Sequence, residues 1–280
     1  MLGLVMRWSI FRRKTVIDSN RVEVTLMGTG TSTGVPVIGC ACATCTSHNP
    51  KDRRLRCSCY VKVRGLHIVI DVGPDFRQQA MKYDVSEVDA ALITHHHFDH
   101  VVGLDDLRPF LFYNPTSIPC YAHPGSAMEL EQMFSYIFRD GKYPGVPRLD
   151  MIPIQGPFEV SSRTNEATVP IIPIPIVHGS LDILGFRIGN FAYLTDVSQV
   201  PFASRGLLEG LDVLVLDGLR EKPHPMHFTI QKSIEVAAEI GAIQTWFTHI
   251  AHDLTHEEYQ SLMPPGMGPA YDGLSFEASL

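Results

Sequence analysis

Apolar and polar residues alternate from Arg21 to Met27, the period of a strand with one buried face, before the segment Gly28-Thr-Gly-Thr-Ser-Thr-Gly34. Tyr60 to Val63 and His67 to Ile70 read as a hairpin turning at Gly65 and ending at Asp71. Pro74 to Tyr83 has the spacing of a short helix with proline at its first position. Val88 to Ile93 is an apolar run of strand length, followed by Thr94-His95-His96-His97-Phe98-Asp99-His100 and a helix toward Phe112. Gly125 to Arg139 is helical in spacing, through Met128, Leu130, Met133, Phe134 and Ile137.

The second half is richer in strands. Ile171 to Val177 leads to His178, and Ile183 to Ile188 pairs with Phe191 to Thr195 across Gly189-Asn190, ending at Asp196. Val213 to Leu216 is a buried strand, Thr229 to Ile240 an amphipathic helix stopped by Gly241, and Ile243 to Thr248 a strand ending at His249. Strand ends thus deliver Asp71, His95 and His97, His178, Asp196 and His249. Two stacked sheets with outer helices gather such ends at one edge. The expected architecture is α/β, a four-layer αββα sandwich with a polar, metal-filled cleft. Residues 1–20 read as an N-terminal extension and 21–280 as the folded domain, with no internal repeat or linker.

At 280 residues and 45% hydrophobic, the chain can bury a full core. Its densest apolar stretch, Val169 to Val177, is interrupted by Pro170, Pro173 and Pro175, and no run reaches bilayer length, so no membrane partner is expected. Residues 1–21 hold five Lys/Arg and one Asp, which leaves the remainder at −11 of the overall −7. That acidic remainder argues against a long nucleic-acid groove. The short apolar start, followed rather than preceded by basic residues, does not read as a secretory signal, and a cytoplasmic location is expected. Of the six cysteines, Cys40, Cys42 and Cys45 crowd into Gly39-Cys-Ala-Cys-Ala-Thr-Cys45. Neighbours this close make poor disulfides but good thiolate ligands. Cys57, Cys59 and Cys120 are assigned to packing.

Burying the histidine run without partners would cost several kcal/mol. Neutral imidazole and carboxylate are, however, the ligands that Zn, Mn and Fe accept. His95 and His97, two apart on an extended chain, point the same way, and Asp99 and His100 follow at a helix start. One pair can grip one metal and the second pair another. Two neighbouring metals form a clamp suited to hydrolysing phosphate or acyl esters.

The ordered set Asp71, HxHxDH at His95–His100, His178, Asp196 and His249 resembles the metallo-β-lactamase-fold hydrolases, from about residue 22 to the end of the chain. The resemblance implies that His95, His97 and His178 hold one divalent ion. Asp99, His100 and His249 hold a second, and Asp196 bridges both. A shared hydroxide would be the nucleophile, and Asp71 would orient a ligand histidine. His96 would face outward.

Within that fold, Gly-Cys-Ala-Cys-Ala-Thr-Cys after Gly28-Thr-Gly30 resembles the phosphoribosyl cyclic phosphate phosphodiesterase family of bacterial phosphonate breakdown. This implies a structural zinc on Cys40, Cys42, Cys45 and His252, a homodimer as a possible assembly, and a small cyclic ribose or nucleotide phosphodiester as substrate. Gly103-Leu-Asp-Asp-Leu-Arg108 is similar too. Arg108 either neutralises a substrate phosphate or pairs with Asp105 or Asp106. Tyr271-Asp-Gly-Leu274 either lines the cleft or closes a sheet. The family's catalytic histidine shortly after the strand at Val213–Leu216 is replaced here by Asp217-Gly-Leu-Arg220. The acid for the leaving oxygen then falls to His224 or His227, with His227 preferred. Rival readings are a glyoxalase-like thioester hydrolase, a tRNA 3′-processing endonuclease, and a non-catalytic relative in cofactor biosynthesis.

Overall fold

Two seven-stranded sheets lie face to face in the computed structural model, which describes residues 20–112, 114–138 and 145–280. Nearly all of the N-terminal extension, and the helix end at Arg139, lie outside the described residues. The first sheet comprises β1 (Arg21–Gly28), β2 (Ser58–Val63), β3 (Leu66–Ile70), β4 (Ala90–Ile93), β5 (Ile118–Ala122), β6 (Leu149–Pro153) and β14 (Ser275–Ser279), in the order β14-β1-β2-β3-β4-β5-β6. The second comprises β7 (Phe158–Ser161), β8 (Thr168–His178), β9 (Leu181–Ile188), β10 (Phe191–Leu194), β11 (Val213–Asp217), β12 (Gln244–Thr248) and β13 (Met267–Pro269), ordered β13-β12-β11-β10-β9-β8-β7.

The two sheets share a plan. Pairing is antiparallel up to β3 and parallel from β3 through β6. It is antiparallel up to β10 and parallel from β10 through β13. Parallel strands covered on both faces need apolar residues at every position. In β11, Val213 and Val215 face the inter-sheet core while Leu214 and Leu216 face the outer helices. In β4, Ala90 and Leu92 face inward, and Ala91 and Ile93 face outward. Three cores result: one between the sheets, one under the helices Phe76–Lys82 and Pro124–Met133, and one under Ile230–Ile240 and His256–Ser261. This is the four-layer αββα order.

Local signals explain the boundaries. Thr229 caps Ile230–Ile240 by accepting from Lys232 N, and Gly241 ends it in the left-handed region at φ 72°. The hairpin β2–β3 turns through Arg64 and Gly65, both with positive φ.

The structure departs from the sequence expectations in places. The helix expected from Pro74 begins only at Phe76. The helix expected after the histidine run is one α-turn, Phe98–Val101, followed by a ten-residue 3₁₀ stretch, Val102–Leu111, that contains Pro109. Its close seating explains the tighter coil: a Cβ on Gly103 would stand 2.2 Å from the Gly73 carbonyl oxygen. Strand β8 runs straight through Pro170, Pro173 and Pro175. At Pro173 and Pro175 it pairs with β9 on one side only, so a proline nitrogen can face the unpaired side at no loss of a ladder bond. The short strands β6, β7, β13 and β14 carry weak apolar patterns and were not separable from loops.

Candidate metal centre

The site stands at the edge where the parallel strands end, as open α/β sheets place their ligands. Asp71 follows β3, His95 follows β4, Asp196 follows β10, Asp217 ends β11 and His249 follows β12. Asp71, Asp196 and His249 have φ of 62°, 58° and 58°. Left-handed backbone at non-glycine residues costs about 1–3 kcal/mol each and persists where the surroundings over-determine it. Three such residues at one edge mark where the fold stores strain.

Hydrogen bonds behind the imidazoles fix their tautomers. Asp71 accepts from His100 Nδ1 at 2.7 Å, from Thr94 N at 2.9 Å and from Thr94 Oγ1 at 2.8 Å. Since the Thr94 hydroxyl proton goes to Asp71, His95 Nδ1 donates to Thr94 Oγ1, at 3.0 Å. His178 Nδ1 donates to the Met226 carbonyl at 2.9 Å. Each Nε2 of His95, His100 and His178 is thereby left with its lone pair directed into the site.

These lone pairs converge on Asp196. Its Oδ1 lies 3.4 Å from His249 Nε2, 3.9 Å from His178 Nε2 and 4.0 Å from His95 Nε2, and its Oδ2 lies 3.2 Å from His100 Nε2. Asp99 Oδ2 is 3.2 Å from His100 Nε2 and 3.9 Å from His249 Nε2. Ligand atoms of His95, His97 and His178 fall within 4.8 Å of one another. So do those of Asp99, His100 and His249, and those of His95, His100 and Asp196.

The buried Nε2 atoms of His95, His100 and His249 have no well-formed hydrogen bond among the described residues, although Asp99 and Asp196 each approach His100 Nε2 to 3.2 Å. Native interiors rarely leave such atoms unmatched. Divalent cations would match them, and the donor set suits two ions joined by Asp196.

The electrostatics agree. Burial, reinforced by His100, holds His95 well below the usual imidazole range, in the neutral form that ligates metal. Burial also lowers His97 and His178. Burial would raise Asp196, but His249 and His100 outweigh it and hold the carboxyl well below its ordinary value. His100 goes the other way: burial lowers it, and Asp196, Asp71 and Asp99 together override that. A pocket with these carboxylates calls for positive charge.

The loop after β11 completes the site. His227 Nε2 is 3.9 Å from Asp196 Oδ1, and its ring stacks on His249 at 4.6 Å between centroids. His224 sits beyond it, 5.0 Å from the His227 ring. Asp217 was not foreseen: fully buried, its Oδ2 accepts from His227 Nδ1 at 2.8 Å and from Val197 N at 2.7 Å. The signal was present, because Asp217 ends an apolar strand as Asp71 and Asp196 do.

Cys40, Cys42 and Cys45 place their sulfurs 3.4 Å each from His252 Nδ1. Zinc bonds of 2.3 Å to sulfur and about 2.1 Å to nitrogen give a tetrahedral S···N edge of about 3.6 Å, so the four donors fit such an ion. His96 turns away from the cluster to Ser126 Oγ, at 3.2 Å, and is half-buried rather than outward-facing. Arg108 Nη2 donates to both carboxylate oxygens of Asp105, at 2.7 and 2.8 Å, the ion-pair option of the two expected. Asp272 accepts from Thr29 Oγ1 and Leu55 N, so the Tyr271–Leu274 segment ties down the sheet edge.

A family model for the β-lactamase superfamily domain matches residues 67–250. The chain belongs to this superfamily, and its fold makes it a metal-dependent hydrolase of the metallo-β-lactamase type. Within that class it is similar to a diphosphatase from the PhnP family, with 42% identity and a TM-score of 0.85 over 93% of this chain and 98% of that one. Zn(2+)-bound PqqB from Methylobacterium extorquens shares the fold at 21% identity and a TM-score of 0.69, over 91% of this chain and 99% of that one. A curated relative, an octanoyltransferase of Porphyromonas gingivalis (strain ATCC BAA-308 / W83), is 39% identical over 254 residues. That match covers 89% of this chain and 50% of the relative, so the chain spans about half of that protein's length.

Proposed function

We propose that this chain is a dinuclear metal phosphodiesterase acting on a small cyclic phosphodiester of ribose or a nucleotide. The observation that carries the reading is the convergence of unpaired, buried imidazole nitrogens on Asp196, with His227 held beside it by Asp217. The similarity to a PhnP-family diphosphatase favours phosphoryl over acyl substrates.

His95, His97 and His178 would hold one divalent ion and Asp99, His100 and His249 a second, with Asp196 within reach of both sets. Divalent ions held there would supply charge neutralisation for phosphate oxygens and a water acidified enough to act as nucleophile. Asp71 and Thr94 keep His95 and His100 in the ligating tautomer. Asp217 orients His227 so that Nε2 faces the cleft and delivers a proton to the leaving oxygen. Cys40, Cys42, Cys45 and His252 would hold a structural zinc. Such an ion would tie the N-terminal loop to the segment carrying His249, three residues before His252.

Elemental analysis combined with a substrate panel tests this. Three metals per chain, turnover of cyclic ribose phosphodiesters, and loss of both turnover and active-site metal in Asp196→Ala are expected. Turnover of thioesters but of no phosphodiester, or unchanged turnover in Asp196→Ala, would overturn it.

A further inference from the structure

Met226 sits where three segments of the site meet. Its carbonyl accepts from Nδ1 of His178 at 2.9 Å, and its N–H donates to Nδ1 of His224 at 3.2 Å. The next residue, His227, is held by Asp217 at 2.8 Å, and Phe228 N donates to the Val197 carbonyl at 2.7 Å. Both backbone groups of Met226 are therefore engaged, one of them by a histidine whose Nε2 lies 3.9 Å from Asp196.

Its side chain makes a second contact at the same place. Gly179 follows His178 with φ 63°, and a Cβ there would stand 2.1 Å from the Met226 sulfur and 2.5 Å from its terminal methyl. The thioether fills the space that a side chain at 179 would need. That shelf is fixed: Gly179 N donates to Ser198 Oγ at 2.8 Å, and the Ser198 hydroxyl donates to the Val177 carbonyl at 2.9 Å. The rings of His178 and His227 then meet edge to face at 4.8 Å between centroids.

A group that accepts from the far nitrogen of a ligand histidine sets that ring's orientation and basicity. For His100 this group is a carboxylate, Asp71. For His178 it is the backbone of the loop that carries His227. A cation on His178 Nε2 would polarise the ring and strengthen the Nδ1–H bond to Met226.

We infer that Met226 is a positioning residue: its carbonyl on His178 and its thioether on Gly179 couple the filling of the three-histidine set to the placing of His227. The inference rests on the proposed reading, in which His95, His97 and His178 share an ion and His227 serves the leaving oxygen.

Hydrogen exchange of the full chain, read by mass spectrometry with zinc present or chelated, tests this. Zinc slows amide exchange over residues 224–228 of the wild type at least about tenfold. Met226→Ala loses most of that slowing. Met226→Leu, which keeps an apolar side chain on Gly179, recovers it, and His97→Ala, short of one ligand in the same set, shows none. A purely structural role would lower the melting temperature without changing the zinc-dependent difference. Chelator competition is a second readout, in which Met226→Ala gives up one zinc per chain about tenfold more readily. Turnover is a third. Adenosine 2′,3′-cyclic phosphate has a ribose oxygen that needs a proton to leave, and bis(4-nitrophenyl) phosphate has a phenolate that does not. The ratio of kcat on the first to kcat on the second falls about tenfold in Met226→Ala. Exchange over 224–228 that ignores zinc in the wild type, or that slows equally in the wild type and Met226→Ala, overturns the inference. A wild type that binds zinc but hydrolyses neither ester defeats the phosphodiesterase reading, while the exchange comparison still decides Met226.

Discussion

Asp217 holds His227 through the same carboxylate oxygen that fixes the backbone of Val197, the residue after Asp196. One buried group therefore sets both the proposed proton donor and the carboxylate it faces. Asp217→Asn keeps the shape and one oxygen for both N–H groups but removes the negative charge behind His227 and puts an amide at the unpartnered Oδ1 position. Its kcat on a chromogenic phosphodiester is expected to fall about 10²-fold with metal content retained. Wild-type kcat in this variant would remove Asp217 from the mechanism.

Gly73 lets two segments touch: a Cβ there would stand 2.0 Å from the Asp99 carbonyl oxygen. Val72 N also donates to the His100 carbonyl at 2.7 Å, so the segment after β3 props up the histidine turn directly. Gly73→Ala must push Asp99 and His100 aside. A loss of about 1–3 kcal/mol in denaturant unfolding and about 10²-fold in turnover are the expected outcomes. Full activity with an unchanged unfolding midpoint would show that the turn yields freely.

Cys45 is the most buried of the three clustered thiols. Cys45→Ser is expected to lower bound zinc by one per chain and to reduce the melting temperature, because structural zinc contributes to folding directly. Mass spectrometry under native conditions reads the stoichiometry, and an unchanged metal count would mean that these thiols hold no ion.

His256 accepts from the buried Arg54 guanidinium at 3.3 Å. Burial, together with the charges of Arg54 and Lys51, lowers its imidazole to about 4. An unfolded histidine titrates near 6.5. The folded form binds the proton less well, so the stability linked to His256 is present above about pH 6.5 and is lost as pH falls through 4. The melting temperature of the wild type should drop between pH 7 and 4.5 by more than that of His256→Gln. Parallel curves for the two proteins would contradict this linkage.

How much was legible depended on how local the signal was. His95–His100 could be read because adjacent residues supply most of a ligand set, and Asp196 and His249 because each ends an apolar strand. Cys40, Cys42 and Cys45 announced themselves by spacing. Asp217 carried the same strand-end signal, yet its role rests on a contact with His227 ten residues away across a loop. Arg108's commitment to Asp105 could be offered only as one of two options, since residues three apart meet on some helical turns and not on others. The matched plan of the two sheets was invisible, because β3 and β10 share a place in the topology but little sequence.

That matched plan has a consequence for the origin of the charge box. Asp71 and Asp196 stand at corresponding points, each just past the strand where antiparallel pairing gives way to parallel, and each with positive φ. One buttresses a histidine from behind and the other faces the cations that the imidazoles call for. A chain divided within the connection between β6 and β7 would leave Asp71 and the histidine run on one fragment and Asp196, His227 and His249 on the other. Neither fragment alone could gather the donors, so the chemistry belongs to the seam between the halves and would return only on their reunion.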